Sequence, residues 1–397
     1  MARCSEEVRV ADWLASGVVP LTGRADGPPL VPPGHAATTA RELAGRIAEA
    51  TGGRVRVDGP ALLGERAAFT GHTRNGRSSP GGAARLLPTA DGWAAASCAR
   101  PDDPLLYGAL IEREIDGDPW SAVAGWLAEH TGEELAERAE LLGLPAAPIR
   151  PTPPAALLTE LSTALPTWPP RDVRGLRVVD FSALWAGPLC AQLLGLAGAE
   201  IVKVETADRP DGARRGHPGF YRLLHGGHRA VAVDPSTADG RSALAALVRS
   251  ADIVIEASRP RALRGFGIDA EAEVARGATW ISITAAGRAS NRVGFGDDVA
   301  AAAGLVATDD DGGPLFVGDA IADPLTGLTA AACALTSPST GVLWDVPMAG
   351  VIAATLDGTP SRPAPAGAAP PRHRPLGPPA PDHGADPLVA LGIGHPC

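Results

Sequence analysis

Lysine is almost missing from these 397 residues; Lys203 is the only one, and arginine carries nearly all the positive charge. The net charge is −10, with the two signs interspersed. There is therefore no basic face of the kind a nucleic-acid partner needs. Cysteine is scarce too. Cys4, Cys98, Cys190, Cys333 and Cys397 lie far apart and are odd in number. That excludes a disulfide framework, a zinc knuckle and a dithiol redox motif. The opening MARCSEEVRVADW has no apolar stretch after its positive charge, so no secretory leader is expected. No apolar run approaches the roughly 18 residues of a membrane span, so no membrane association is expected either. The expectation is a cytoplasmic protein with reduced thiols. What is present suits a globular chain. A hydrophobic fraction of 45% is ample for a core, and the length suggests two domains.

Two proline-rich stretches, 145–170 and 359–384, punctuate the chain. Proline removes backbone donors and favours extended backbone, so these read as a linker and a tail. The expected division is residues 1–150 as a smaller α+β domain, 151–173 as linker, 174–357 as an α/β domain and 358–397 as tail. In the α/β part, apolar runs at 177–181, 201–204, 231–234, 252–256 and 280–284 alternate with helical patterns. Continuous apolar strands separated by helices imply an open parallel, Rossmann-like sheet covered on both faces. The first strand-turn-helix, with Glu205 about twenty residues on, imitates a dinucleotide site. Its turn carries one glycine where three are needed, and no phosphate-cradling loop exists, so NAD is not expected. An internal echo is more informative. Gly27-Pro28-Pro29-Leu30-Val31 matches Gly313-Pro314-Leu315-Phe316-Val317, and continuing the register sets Ala37 opposite Asp323. A duplication would leave a carboxylate only in the later copy.

The run RGLRVVDFSALWAGPLCAQLLGLAGAEIVKVE, from residue 174, resembles the opening of the family III CoA-transferases, the carnitine-dehydratase and bile-acid-inducible-F (CaiB/BaiF) group. Four further segments resemble later motifs of that family in the same order. They are His228 to Asp234, Ala251 to Gly267, Ser282-Ile283-Thr284 with Gly287, and Gly318 to Gly327. Leu87 to Trp93, Trp126-Leu127-Ala128 and Leu144 to Pro148 resemble the family's small domain, here placed before the large one. The resemblance implies an enzyme moving CoA between an acyl-CoA and a free carboxylic acid, with Asp323 as the covalent catalytic residue. It implies acyl-CoA as substrate with no resident cofactor or metal, and an interlocked homodimer. CoA contacts are expected at Leu184, Trp185, Ala186, Thr206, Arg229, Ala257, Ser258, Arg264 and Thr284.

Departures matter. Thr206 stands where the family often has a phosphate-binding arginine, and Ala257-Ser258 replaces an Asn-Phe type of pair. Arg209, Arg214, Arg215, Arg222, Arg259 and Arg261 are substitutes whose guanidinium groups suit phosphate. The related 2-methylacyl-CoA racemases use a His before an Asp, and here the positions are Asp297-Asp298. A racemase or epimerase and a non-catalytic acyl-CoA-binding protein are the alternative readings. For Asp323 itself, the simpler role is a helix cap. His225 and His228 have metal spacing without an acidic or thiol partner. Asp309-Asp310-Asp311 reads as a hydrophilic turn, Asp297 as a solvated charge, Gly81-Gly82 as a tight turn or thioester-lining loop, and Trp93, Trp120 and Trp126 as small-domain core.

Overall fold

The computed structural model describes residues 5–150, 169–206, 208–257 and 260–382. Its N-terminal stretch is helical: α1 (Glu6–Ala15), a short β1 (Leu30–Val31), α2 (Ala36–Ala50), α3 (Gly59–Leu62) and α4 (Ala67–Thr70). Next come β2 (Ala84–Thr89), β3 (Gly92–Ser97), α5 (Asp103–Leu110), α6 (Trp120–Leu127), α7 (Gly132–Leu142) and β4 (Ala146–Pro148). The second half alternates strand and helix. β5 (Arg177–Asp180), α8 (Ala186–Leu196), β6 (Glu200–Thr206), α9 (Pro218–His225), β7 (Arg229–Val233) and α10 (Ala238–Arg249) lead to β8 (Ile253–Glu256). α11 (Pro260–Gly265), α12 (Ala270–Ala275), β9 (Thr279–Thr284), α13 (Gly296–Ala302), β10 (Val306–Thr308), β11 (Pro314–Phe316) and α14 (Ala322–Leu335) follow. β12 (Val342–Pro347), α15 (Met348–Ala353) and β13 (Arg362–Pro363) close the chain.

Six strands form one sheet in the order β12-β9-β8-β5-β6-β7, every pair parallel. Side chains alternate across it, as strand geometry requires. Val178, Ile253, Ile255, Ile281 and Ile283 enter one core with α8 and α14. Val179, Val202, Val254 and Trp280 enter another under α10. Both faces are covered, which is why these strands read as unbroken apolar runs. No helix among the described residues is long and apolar enough to cross a membrane.

Residues 1–150 do not behave as one unit. The apolar stripe of α2 (Ala36, Ala40, Leu43, Ile47) shares a core with Leu189 of α8 and Leu328 of α14. Ala330, Ala331 and Ala334 of α14 belong to the same core. Only the segment from β2 to β4 keeps a core of its own, around Tyr107, Leu110, Val123, Leu127 and Leu135. Trp120 and Trp126 pack against that core, whereas Trp93 lies under the Arg77 guanidinium, 4.7 Å from the ring centroid.

The echo is visible in the backbone. The register that sets Ala37 opposite Asp323 sets Ala36 opposite Ala322, the first residues of α2 and α14. It also sets Gly34 opposite Ala320, and both are left-handed, at φ +67° and +51°. The tail is extended and fixed by side chains. β13 pairs antiparallel with β1; Arg372 bonds to Asp58 and Arg374 to Glu65, while Arg222 donates to the Gly377 carbonyl. The linker residues 151–168 lie outside the described residues.

Candidate active site

In an open parallel sheet, ligands collect at the carboxyl ends of the strands. β5 ends at Asp180, whose Oδ1 accepts the Ser182 N–H at 2.9 Å. The following loop turns through Leu184, left-handed at φ +68°, before Trp185 and α8. Two buried charges hold that turn. Asp211 accepts the Leu184 N–H at 2.9 Å and the Lys203 ammonium at 2.9 Å. Lys203 also donates to the Ser182 carbonyl, and its side chain is completely buried. Burial alone would raise the Asp211 carboxyl, but His225, Lys203 and two backbone N–H groups hold it far below the usual carboxylate range. His225 and His228 are buried here as well, and burial drives His228 down to about 3. No group of three metal-ligating side chains occurs among the described residues.

α14 precedes β12, which is parallel to β9, so its first turn also lies at the carboxyl edge. Gly327, four residues beyond Asp323, sits against the Ala186 carbonyl, where a Cβ would come within 2.6 Å. That close approach places Asp323 beside the Leu184-Trp185-Ala186 loop. The Asp323 carboxylate accepts the Gly296 N–H at the start of α13. Asp297 is held in place, with Oδ1 accepting the Ala320 N–H at 2.7 Å and Ser79 bonding its carboxyl; it is not a solvated charge. Asp319 forms a bidentate pair with Arg66, at 2.8 and 2.5 Å, and meets His72 Nδ1 at 3.3 Å. The Arg66 guanidinium lies over Trp185, 5.7 Å from the ring centroid. Gly81 packs on His72 and Arg66.

These charges share one small volume. Burial pushes Asp323 up to about 7; Arg66 pulls it down, and Asp297 and Asp319 push it up. Asp297 rises to about 6, by burial first and then by Asp319. Asp319 goes the other way, because Arg66 and His72 outweigh its burial. Next to Asp297, Asp298 rises to about 8 by burial, although Ser97 Oγ donates to it at 2.6 Å. A carboxyl that ionises near neutrality, at a helix N-terminus and with a backbone donor beside it, is suited to nucleophilic or proton-transfer chemistry.

The expected CoA contacts are only partly assembled. Thr206, Ala257 and Thr284 end or follow β6, β8 and β9 along the carboxyl edge. Thr284 Oγ1 accepts the Gly287 N–H at 2.8 Å. Arg264 is exposed on α11 and paired with Glu271 at 3.3 Å. Arg229 opens β7 opposite Val202, at the amino-end side of β6, so the strand direction carries it away from Thr206. Ser258 lies outside the described residues, as do the side chains of Arg259 and Arg261. Arg214 is committed to Glu205 at 3.0 Å and Arg222 to the tail, while Arg209 and Arg215 are exposed.

Arg66, His72, Asp319 and Gly296 were not anticipated from sequence. Asp319 lies within the motif that marks Asp323, so its closeness was readable. Arg66 is 253 residues from its partner, and no local pattern signals such a pair.

Residues 173–342 match the family model of CoA-transferase family III; over that stretch the chain is related to these enzymes. Among curated proteins, it is 31% identical to succinyl-CoA–D-citramalate CoA-transferase of Chloroflexus aurantiacus, over 43% of this chain and 46% of the relative. It is 30% identical to succinate–glutarate CoA-transferase of Agrobacterium fabrum, over 39% of this chain and 44% of the relative. The chain thus spans less than half the length of these two relatives. Among solved structures, a CaiB/BaiF family protein from Brucella suis is similar over 46% of this chain and 55% of that one, at 26% identity and a TM-score of 0.42.

Proposed function

We propose that this protein transfers CoA between an acyl-CoA and a free carboxylic acid, with Asp323 as the covalent nucleophile. The observation that carries this reading is the Asp323 carboxylate itself. It stands on the first turn of α14, bonded to the Gly296 N–H and poised to ionise near neutrality, beside the loop at the carboxyl end of β5. In the first step an Asp323 oxygen attacks the thioester carbonyl carbon, and the C–S bond breaks to give a mixed anhydride and CoA thiolate. The thiolate then attacks the Asp323 carbonyl carbon, releasing the donor acid and leaving an aspartyl-CoA thioester. The acceptor carboxylate attacks that thioester and expels the thiolate again. Attack of the thiolate on the acceptor acyl carbon yields the new acyl-CoA and restores the Asp323 carboxylate. Splitting one hard exchange into easier steps is what the covalent carboxylate contributes, and backbone N–H groups such as that of Gly296 suit the oxyanions. The two named relatives act on small dicarboxylic acids, which makes succinyl-CoA the first donor to try. A homodimer is the assembly this reading carries, tested by sedimentation.

Incubation with a panel of acyl-CoAs, hydroxylamine trapping and peptide mass spectrometry tests the mechanism. A hydroxamate on the Asp323 peptide, absent in Asp323→Ala, is the expected result. CoA binding without any adduct would sink it, leaving a racemase or a non-catalytic acyl-CoA-binding protein.

One observation favours a second reading. Asp297 occupies the position where the racemases carry histidine, and it titrates near 6 beside Asp323 near 7. Two carboxyls of that kind suit proton exchange at the α-carbon of a 2-methylacyl-CoA. Uptake of solvent deuterium at that carbon, with no movement of CoA between acids, would establish this reading instead.

A further inference from the structure

We propose that Arg66 is the positioning cation of this site: it holds Asp323 ready to ionise from a segment outside the α/β half of the chain. The role assigned to the ionised carboxylate rests on the transferase reading; the electrostatic claim does not.

The geometry fixes the guanidinium from two sides. Asp319, four residues before Asp323, takes Nε and Nη2 at 2.8 and 2.5 Å. The Trp185 indole lies beneath it at 5.7 Å, and Trp185 directly precedes Ala186, whose carbonyl contacts Gly327 of α14. Arg66 is thereby pinned to both flanks of the first turn of α14. Among the described residues Nη1 has no hydrogen-bond partner, and the side chain keeps 28% of its surface open. It is not a simple surface ion pair, because Asp319 is completely buried. A bidentate fork of this kind holds its charge in place, which a lysine would not do as well.

Among the described residues, Arg66 is the one cation acting on Asp323. α13 contributes Asp297, and the turn before α14 contributes Asp319, with His72 beyond it; Asp298 turns to Ser97 instead. Cys190 of α8 lies toward Asp180 and Cys333. Arg46 of α2 lies toward Cys333, near the far end of α14, and Asp345 of β12 turns to Thr284 and Arg288. α15 has no titratable side chain. One guanidinium thus faces three acidic groups, Asp319, Asp297 and Asp323, and burial drives the last two toward neutrality.

The test is the titration of Asp323 in the free full-length protein, read from carbodiimide labelling of its peptide against pH. Arg66→Gln removes an attractive charge and should move the midpoint up by about one unit or more. Arg66→Lys should recover part of that shift. Asp319→Asn removes a repelling charge while keeping Arg66, and should move the midpoint down. A structural brace would disturb both variants in the same direction, so opposite signs are the signature. An unchanged midpoint in folded Arg66→Gln, or shifts of like sign in Arg66→Gln and Asp319→Asn, would overturn the proposal. If Arg66→Gln does not fold, the sign in Asp319→Asn decides alone, since loss of the brace predicts a rise. No acyl-CoA is used, so the absence of an Asp323 adduct would count against the transferase reading and not against this one.

Discussion

At the scale of residues, the site is governed by how few positive charges accompany its acids. A carboxyl buried beside two others ordinarily keeps its proton, and one guanidinium brings Asp323 only part of the way back. The nucleophile is the ionised form, so the sign of its pH dependence follows. Below about pH 7 each unit of acidification should cut the rate of adduct formation on Asp323 about tenfold, with a plateau above. Single-turnover hydroxylamine trapping across pH 5 to 9 measures this; a limb near pH 4 would mean an ordinary solvated aspartate. The same shift has a thermodynamic side. Because the folded state holds the Asp323 proton more tightly than the unfolded chain, stability contributed by this group falls as pH rises from about 4 to 7. Asp323 was legible in the sequence because its motif is contiguous. Arg66 was not, because charge partners hundreds of residues apart leave no periodic trace.

At the scale of elements, the strands of the α/β part were readable because burial on both faces writes them as unbroken apolar runs. The pairing of α2 with α14 was not, since an amphipathic stripe shows that a helix is covered and not what covers it. The small residues at helix contacts can be told apart by experiment. Gly327→Ala should gain about 1 kcal/mol of helix propensity. However, its Cβ would fall within 2.6 Å of the Ala186 backbone oxygen, and overpacking of that kind costs about 1–3 kcal/mol. The clash should win, lowering the denaturant midpoint and loosening Asp323 from the Trp185 loop. Gly45→Ala in α2, where a Cβ meets nothing within 4 Å, should stabilise by about 1 kcal/mol. Midpoints moving in the same direction for both variants would contradict the packing described.

At the scale of the molecule, Arg66 and His72 from the first half of the chain meet Asp319, and Arg66 acts on Asp323, in the second half. Mixing Arg66→Gln with Asp323→Asn should therefore give no more adduct than Arg66→Gln alone, because neither chain holds both groups. Recovery of more than background adduct formation after co-refolding would show that sites form between copies. The order of segments did not reveal that Arg66, in the first 150 residues, acts on Asp323, since that depends on tertiary contacts alone. The solitary Lys203, sealed beneath the sheet edge, has a consequence of another kind. Thioesters acylate exposed amines without any enzyme, and most proteins carry many such targets. Here the one lysine side chain of the sequence is buried, so these residues offer acyl-CoA no exposed lysine amine. An acyl mark on a carboxylate of this protein would stand out against almost no amine background.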